Sequence, residues 1–282
     1  MGEISEALRR AREGTRREEA QRAPVPAGEP AARHIAPRRL GTQVVISNEA
    51  TGRWSARSVL VQPDSEFSER YRQCAVRLQR EIRRRNARIV LVTSPARGEG
   101  KTTTSCNLAL AFASMASGRR IALVETDIRR PAVGAALGVS VGTGFERVLE
   151  GDLPLEEACV HTQFPELDLF AAGRPARNPL AAVSSIATGQ VFRALAGQYD
   201  LVILDSPPVL PVPDVPLLLP HVDSVLLVAR HGVSRRAALR DAIASLTPEK
   251  VIGVFLNEGR TPIHRRYEGY YEKPAAEAPD GN

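Results

Sequence analysis

Aromatic residues are scarce in this chain, at 5% of all residues with one Trp, seven Phe and five Tyr. Three of those five tyrosines nevertheless fall within RRYEGYYEK (265–273), at Tyr267, Tyr270 and Tyr271. Charged neighbours and a following Pro/Ala-rich run offer nothing there for a ring to pack against. Cysteine is scarcer still: Cys74, Cys106 and Cys159 stand far apart and give neither a disulfide framework nor metal-ligand spacing, so a reducing compartment is expected. The five histidines are scattered and form no ligand cluster by spacing. No apolar run reaches the roughly 20 residues of a membrane span, and the charged first 22 residues do not read as a signal peptide. These absences point to a cytoplasmic protein whose membrane association, if any, is borrowed from a partner.

What is present suits one good core. At 282 residues and 43% hydrophobic, the chain can bury a domain of about 200 residues with tails to spare. The formal charge of +6 is largely Arg, as in RLQREIRRRNAR (77–88), which reads most simply as a solvated helix face. ISEALRRAREGTRREEAQR (4–22) can form a short helix, and 23–39 repeats Pro and Ala without periodicity, as a flexible linker does. The expected organisation is therefore a flexible N-terminal segment over 1–52, a folded domain over 53–262 and a tyrosine-bearing tail over 263–282.

After PDSE, the residues Phe67, Tyr71, Cys74, Leu78 and Ile82 recur at helical spacing, which makes Tyr71 a core residue unlike the tail tyrosines. Short apolar runs then alternate with helical stretches: IVLVTS (89–94), IALVET (121–126), LDLFAAG (167–173), LVILDS (201–206) with VLLVAR (225–230), and VIGVFLN (251–257). Uniformly apolar runs belong to strands covered on both faces, and their separation by helices predicts an α/β fold with a doubly wound, mainly parallel sheet.

The first run ends in SPARGEGKTTT (94–104) before a helical stretch. A glycine-containing loop between strand and helix aims backbone N–H groups at an anion, and the helix N-terminus adds its dipole. Gly98 and Gly100 allow close approach to phosphate, Lys101 reaches the β/γ-phosphates of ATP, and the Thr102 hydroxyl suits Mg²⁺; Glu99 and Thr103 complete the loop. The first glycine of the usual P-loop pattern is Pro95 here. The second run places Glu125 and Asp127 at a strand's C-terminal edge, where ligands sit in open α/β sheets. A salt bridge from these acids to Arg129 or Arg130 is the purely structural reading. Four apolar residues then deliver Asp205 in YDLVILDSPP, the arrangement that brings a carboxylate to Mg²⁺ beside a P-loop.

In this order the pieces resemble the bacterial tyrosine kinases (BY-kinases) of capsular and exopolysaccharide synthesis, P-loop NTPases related to the MinD/ParA group. The resemblance covers roughly 65–260. It rests on ALVETDIRRP, with Glu125 where the family has Asp, on DSPPVLPVPD carrying Asp205 and Asp214, and on GTGFERVLEGDLPLEEA and FAAGRPARNP. The family's E-x-x-R-x-x-R oligomerisation motif begins at Glu69 but ends in Ala75. The resemblance implies an ATP- and Mg²⁺-dependent tyrosine autokinase. Lys101, Asp127, Glu125 and Asp205 would be catalytic, with Thr102, Asp205 and Glu125 at the metal. Position favours Asp127 as base and Glu125 nearer the metal, although the two roles can exchange. Asn257 would contact adenine, and Tyr267, Tyr270 and Tyr271 would be phosphoacceptors. Further implications are a homo-oligomer, a membrane polysaccharide co-polymerase of the Wzz type as partner, recruitment to the inner face of the membrane, and no nucleic acid. A MinD/ParA-like positioning ATPase and a nucleotide-binding regulator without transfer activity are the alternatives. Against the first, the lysine that follows the first P-loop position in that group is Ala96 here.

Overall fold

The computed structural model describes residues 45–46, 59–60, 62–115 and 118–259. Tyr267, Tyr270 and Tyr271, and nearly all of the 1–52 segment, lie outside the described residues. In chain order the elements are α1 (Glu66–Arg85), β1 (Ile89–Thr93), α2 (Lys101–Met115), β2 (Ile121–Glu125), α3 (Val133–Leu137), α4 (Phe145–Leu149), β3 (Val160–His161) and β4 (Leu167–Phe170). They continue with α5 (Pro179–Ser184), α6 (Ile186–Gln198), β5 (Leu201–Asp205), α7 (Asp214–Leu218), β6 (Ser224–Arg230), α8 (Arg236–Ser245) and β7 (Val251–Asn257).

Among the described residues the strands form one seven-stranded sheet in the order β3-β4-β2-β5-β1-β6-β7. Every neighbouring pair is parallel except β3 and β4. The expected apolar runs all became strands, and alternation sends their side chains to opposite cores. Ile89, Leu91, Val202 and Leu204 face the helices α4 to α8, whereas Val90, Val92, Leu201 and Ile203 face α1, α2 and α3. Coverage on both sides explains why the strands read as continuous hydrophobic runs rather than alternating ones. The antiparallel edge strand β3 had no such signal, because two half-buried residues carry no period.

Helix α1 forms because its ends are capped as well as its face apolar. The Ser65 side chain accepts from the Ser68 amide at 3.2 Å, Glu66 and Glu69 occupy the first turn, and Arg83, Arg84 and Arg85 occupy the last. Asn86 closes the helix in the left-handed conformation at φ 49°. Tyr71 is a core residue as its spacing predicts, stacked on Phe255 with centroids 5.2 Å apart and meeting the Phe67 ring edge-on at 5.0 Å. On the same helix Arg72 pairs with Glu69 at 3.4 Å, while Ala75 is fully buried and presents nothing to a second subunit. Within the 1–52 segment expected to be flexible, Ile46 is buried; its amide donates to Gln163 Oε1 at 2.9 Å and its carbonyl accepts from Gln163 Nε2 at 3.3 Å.

Ser65→Ala removes the N-cap acceptor and should cost about 1 kcal/mol of stability, measured by urea unfolding. Because α1 holds none of the nucleotide-loop residues, nucleotide affinity should not move.

Candidate active site

The order of the sheet places β1 and β2 on either side of β5, so the residues that follow or end these three strands meet at one edge. After β1, the loop 94–100 turns into α2 through two glycines with positive φ, Gly98 at 78° and Gly100 at 93°. At Gly100 any side chain is excluded twice, by that backbone and by a neighbour: a Cβ would stand 1.9 Å from Asn257 Nδ2. Lys101 opens α2, and its Nζ lies 2.7 Å from Asp127 Oδ2 and 3.4 Å from Thr102 Oγ1. The Thr102 hydroxyl donates to Asp205 Oδ2 at 2.7 Å, and Ser105, one helical turn on, donates to Oδ1 at 3.0 Å. Thr103 points its carbonyl at Asn107 Nδ2, 2.8 Å away. Lys101, Thr102, Asp127 and Asp205 are therefore brought together.

The electrostatics follow from burial. Burial pushes the Asp205 carboxyl up, opposed by the Lys101 ammonium and the Thr102 hydrogen bond. Burial works against the Lys101 charge, but the carboxylates of Asp205 and Asp127 outweigh it and raise the amine above its ordinary value. Lys101 is thus held as an ammonium in a nearly dry site. Burial also raises Glu125, to about 7, although the amides of Ala132, Val133 and Ala172 pull the other way.

Two of the expected site residues are engaged by contacts within the chain. Glu125 does not sit at the Thr102–Asp205 pair. Its Oε1 accepts from the amides of Ala132 and Val133 (the latter at 2.8 Å), and its Oε2 accepts from Ala172 at 2.9 Å. Its longer arm reaches three backbone donors. Asn257 Nδ2 donates to the Glu99 carbonyl at 3.0 Å and its Oδ1 accepts from the Glu258 amide at 3.0 Å. It is a brace under the phosphate loop. Glu99 likewise folds inward, accepting from the Ala96 amide at 3.0 Å and from the Ser234 hydroxyl. The salt bridge expected as the bland alternative also goes elsewhere, since Arg129 Nε reaches both Asp214 oxygens at 3.0 Å.

Residues that the sequence did not single out complete the frame. Arg230 donates from Nη1 to the Gly98 carbonyl at 3.2 Å and from Nε to Glu258 at 2.7 Å. Glu146, within GTGFERVLEGDLPLEEA, accepts from the Gly173 amide of FAAGRPARNP at 2.9 Å, so those two segments form one wall. Only contacts across more than a hundred residues reveal Arg230 as part of the loop.

A family model described as an AAA domain matches residues 87–232. The tyrosine-protein kinase YwqD of Bacillus subtilis (strain 168) is 31% identical over 215 residues, covering 75% of this chain and 89% of that protein. The chain belongs to the bacterial tyrosine-protein kinases. The kinase also spans only a third or less of some longer curated relatives. Among solved structures, the VpsO kinase domain is similar with a TM-score of 0.59 at 33% identity, covering 68% of this chain and 98% of that one. The septum site-determining protein MinD complexed with Mg-ADP from Pyrococcus horikoshii is similar with a TM-score of 0.54 at 26% identity, covering 62% and 72%. The P-loop NTPase fold of the kinase is thereby established.

The residues present fit a nucleotide and a divalent cation. Two buried acids, Asp127 and Asp205, share the Lys101 ammonium, an excess of negative charge that a cation offsets. Gly100→Ala should weaken nucleotide binding at least tenfold and lower stability by roughly 1–3 kcal/mol through backbone strain. A fluorescent nucleotide titration and a thermal melt of the same preparation measure both effects.

Proposed function

We propose that the kinase transfers the γ-phosphoryl group of ATP to its own tyrosines Tyr267, Tyr270 and Tyr271, and so regulates capsule or exopolysaccharide synthesis. The observation that carries this reading is the Lys101–Asp127 pair at 2.7 Å: a carboxylate stands at the phosphate end of the loop, outside the Thr102–Asp205 pair. In this reading Gly98 and Gly100 let the backbone close on the phosphates, and Lys101 neutralises their charge. Thr102 and Asp205 would hold Mg²⁺, which would supply further charge neutralisation to the phosphates. Asp127 keeps one oxygen on Lys101 and accepts from the Arg130 amide with the other at 3.3 Å, so its orientation is fixed before substrate arrives. It takes the proton of the attacking tyrosine hydroxyl. Glu125 acts at one remove, holding by its three amide contacts the loop on which Asp127 sits. Asn257 and Glu99 act through loop shape.

The tail is suited to this role by its origin. β7 ends at Asn257, against the phosphate loop, and Arg70 Nη1 donates to the Gly259 carbonyl at 2.6 Å. From Asn257 to Tyr270 is 13 residues, which extended span roughly 43–47 Å. That exceeds the ~17 Å radius of gyration of a 200-residue domain, so the tail can enter an adjacent subunit. The same resemblance supports a homo-oligomer, and recruitment from the cytoplasm to the inner membrane face by a Wzz-type co-polymerase. No helix among the described residues is long and apolar enough to cross a membrane.

Asp127→Asn should lower phosphotyrosine formation by roughly 10²–10⁴-fold, the range expected for a lost general base, with nucleotide affinity little changed. Glu125→Asp shortens the arm that reaches the amides and should lower the melting temperature while retaining measurable transfer. A Glu125→Asp protein silenced as fully as Asp127→Asn, at unchanged melting temperature, would reverse the two roles.

Changing Tyr267, Tyr270 and Tyr271 together to Phe should remove most autophosphorylation and leave ATP binding intact. When that protein is mixed with Lys101→Met protein, which keeps its tyrosines, label from radioactive ATP should appear on the Lys101→Met chain. Phosphate mapped mainly to Tyr71 or Tyr199 would make the tail incidental. An unlabelled Lys101→Met chain would make transfer intramolecular.

A further inference from the structure

Spacing in the sequence gives the cysteines and histidines no ligand pattern, but strand pairing supplies one. β3 joins the sheet edge antiparallel to β4, with His161 directly opposite Asp168. Cys159 lies two residues before His161, so the period of an extended chain returns its side chain to the same side. The result is a compact group of three unlike donors. Cys159 Sγ is 3.8 Å from His161 Nδ1, Nδ1 is 2.7 Å from Asp168 Oδ1, and all three donor atoms lie within 4.8 Å of one another.

We propose that Cys159, His161 and Asp168 form a Zn²⁺ site, binding through Sγ, Nδ1 and Oδ1. Bond lengths of about 2.3 Å to sulfur and about 2.0–2.2 Å to nitrogen and oxygen, at tetrahedral angles, set the donors about 3.3–3.6 Å apart. The observed 3.8 Å and 2.7 Å bracket that spacing, so small rotations of His161 and Asp168 suffice. On binding, the Cys159 thiol gives its proton to solvent as the Sγ–Zn bond forms, and His161 keeps its remaining proton on Nε2. A sulfur, a nitrogen and a carboxylate oxygen make a borderline donor set that suits zinc and not Mg²⁺ or Ca²⁺, which take oxygen.

The surroundings are arranged as support for such a ligand set. Asp168 Oδ2 accepts from the Tyr199 hydroxyl at 2.9 Å and pairs with Arg120 at 3.4 Å. The Arg120 guanidinium in turn lies 4.6 Å over the Tyr199 ring. The carboxylate is thus held by its far oxygen, which aims Oδ1 at His161 and fixes the ligand before the ion arrives. His161 keeps one-fifth of its side chain exposed and Cys159 is half-buried, leaving a way in and room for a water as fourth ligand. Asp168 pairs with Ala122 rather than with Glu125 at the end of β2, so the site sits on the sheet edge, away from the phosphate loop. An ion there ties the 155–158 turn and β3 to β4, and its binding adds to folding stability.

Full-length protein stripped with chelator is titrated with Co²⁺, the spectroscopic stand-in for zinc. One equivalent should bind with a thiolate-to-cobalt charge-transfer band that Zn²⁺ then displaces. Cys159→Ser should abolish the band, His161→Gln should weaken binding strongly, and Cys74→Ser should leave it unchanged. Tyr199→Phe, which removes only the support, should weaken binding about 10–100-fold. Zn²⁺ should also raise the melting temperature of the wild type but not of His161→Gln, with circular dichroism confirming that each variant is folded. Absence of a charge-transfer band, or a band surviving in Cys159→Ser, would overturn the site and leave a His161–Asp168–Tyr199 hydrogen-bond network.

Discussion

The nucleotide edge of this kinase depends on the burial of one carboxylate, Asp205. A charge removed from water costs several kcal/mol unless every lone pair finds a partner, and here the partners are the parts of the site. Thr102 and Ser105 donate to its two oxygens, which fixes the first turn of α2 over β5. Its main-chain carbonyl accepts from the Thr126 amide at 2.7 Å, the Thr126 hydroxyl at 2.9 Å and the Asp127 amide at 3.2 Å. One residue thereby sets both the phosphate loop and the loop bearing Asp127. The Lys101–Asp127 contact is a consequence of that shared anchor.

The second constraint is on the far side of the phosphate loop, where Pro95 replaces the usual first glycine. A proline offers no N–H to an anion and fixes its own φ, so the loop's shape must come from elsewhere. Glu99 ties the loop to itself through Ala96 and to Ser234 beyond β6; Asn257 and Arg230 hold the Glu99 and Gly98 carbonyls. Val209 and Ser94 join the same loop to the segment after β5 at 2.9 Å. The positive φ that Gly98 and Gly100 permit is flanked by these bonds, which hold the carbonyls of Gly98 and Glu99.

That distinction separates what could be read from the sequence from what could not. The strands β1, β2, β4, β5, β6 and β7 were legible because burial on both faces leaves a run of apolar residues, and the P-loop was legible because Gly98, Gly100, Lys101 and Thr102 are adjacent. Asp205 followed from its place at the end of such a run. The inward turn of Glu99, the bracing by Asn257 and the recruitment of Arg230 depend on contacts more than a hundred residues apart, which no local pattern encodes. The same holds at β3: two residues pair with β4 because Thr162 and Phe164 close the turn between them, and only then do Cys159, His161 and Asp168 meet.

Glu125 shows how a one-carbon difference is absorbed by a fold. Glu125 and Asp205 are paired across neighbouring strands, so two buried acidic residues leave adjacent backbone positions, and both act on the Lys101 charge. A shorter acid at 125 would keep its charge near Asp205 and add to the repulsion between them. The extra methylene carries the charge away, to amides that open α3 and to the Ala172 amide after β4. Backbone N–H groups favour the charged form, so the repulsion is exchanged for three donors that would otherwise need water. In turn the chain from Thr126 to Val133 is held at both ends, by Asp205 at one and Glu125 at the other. Asp127 lies between those two anchors, the one acid of the three whose side chain pairs with Lys101 by direct contact.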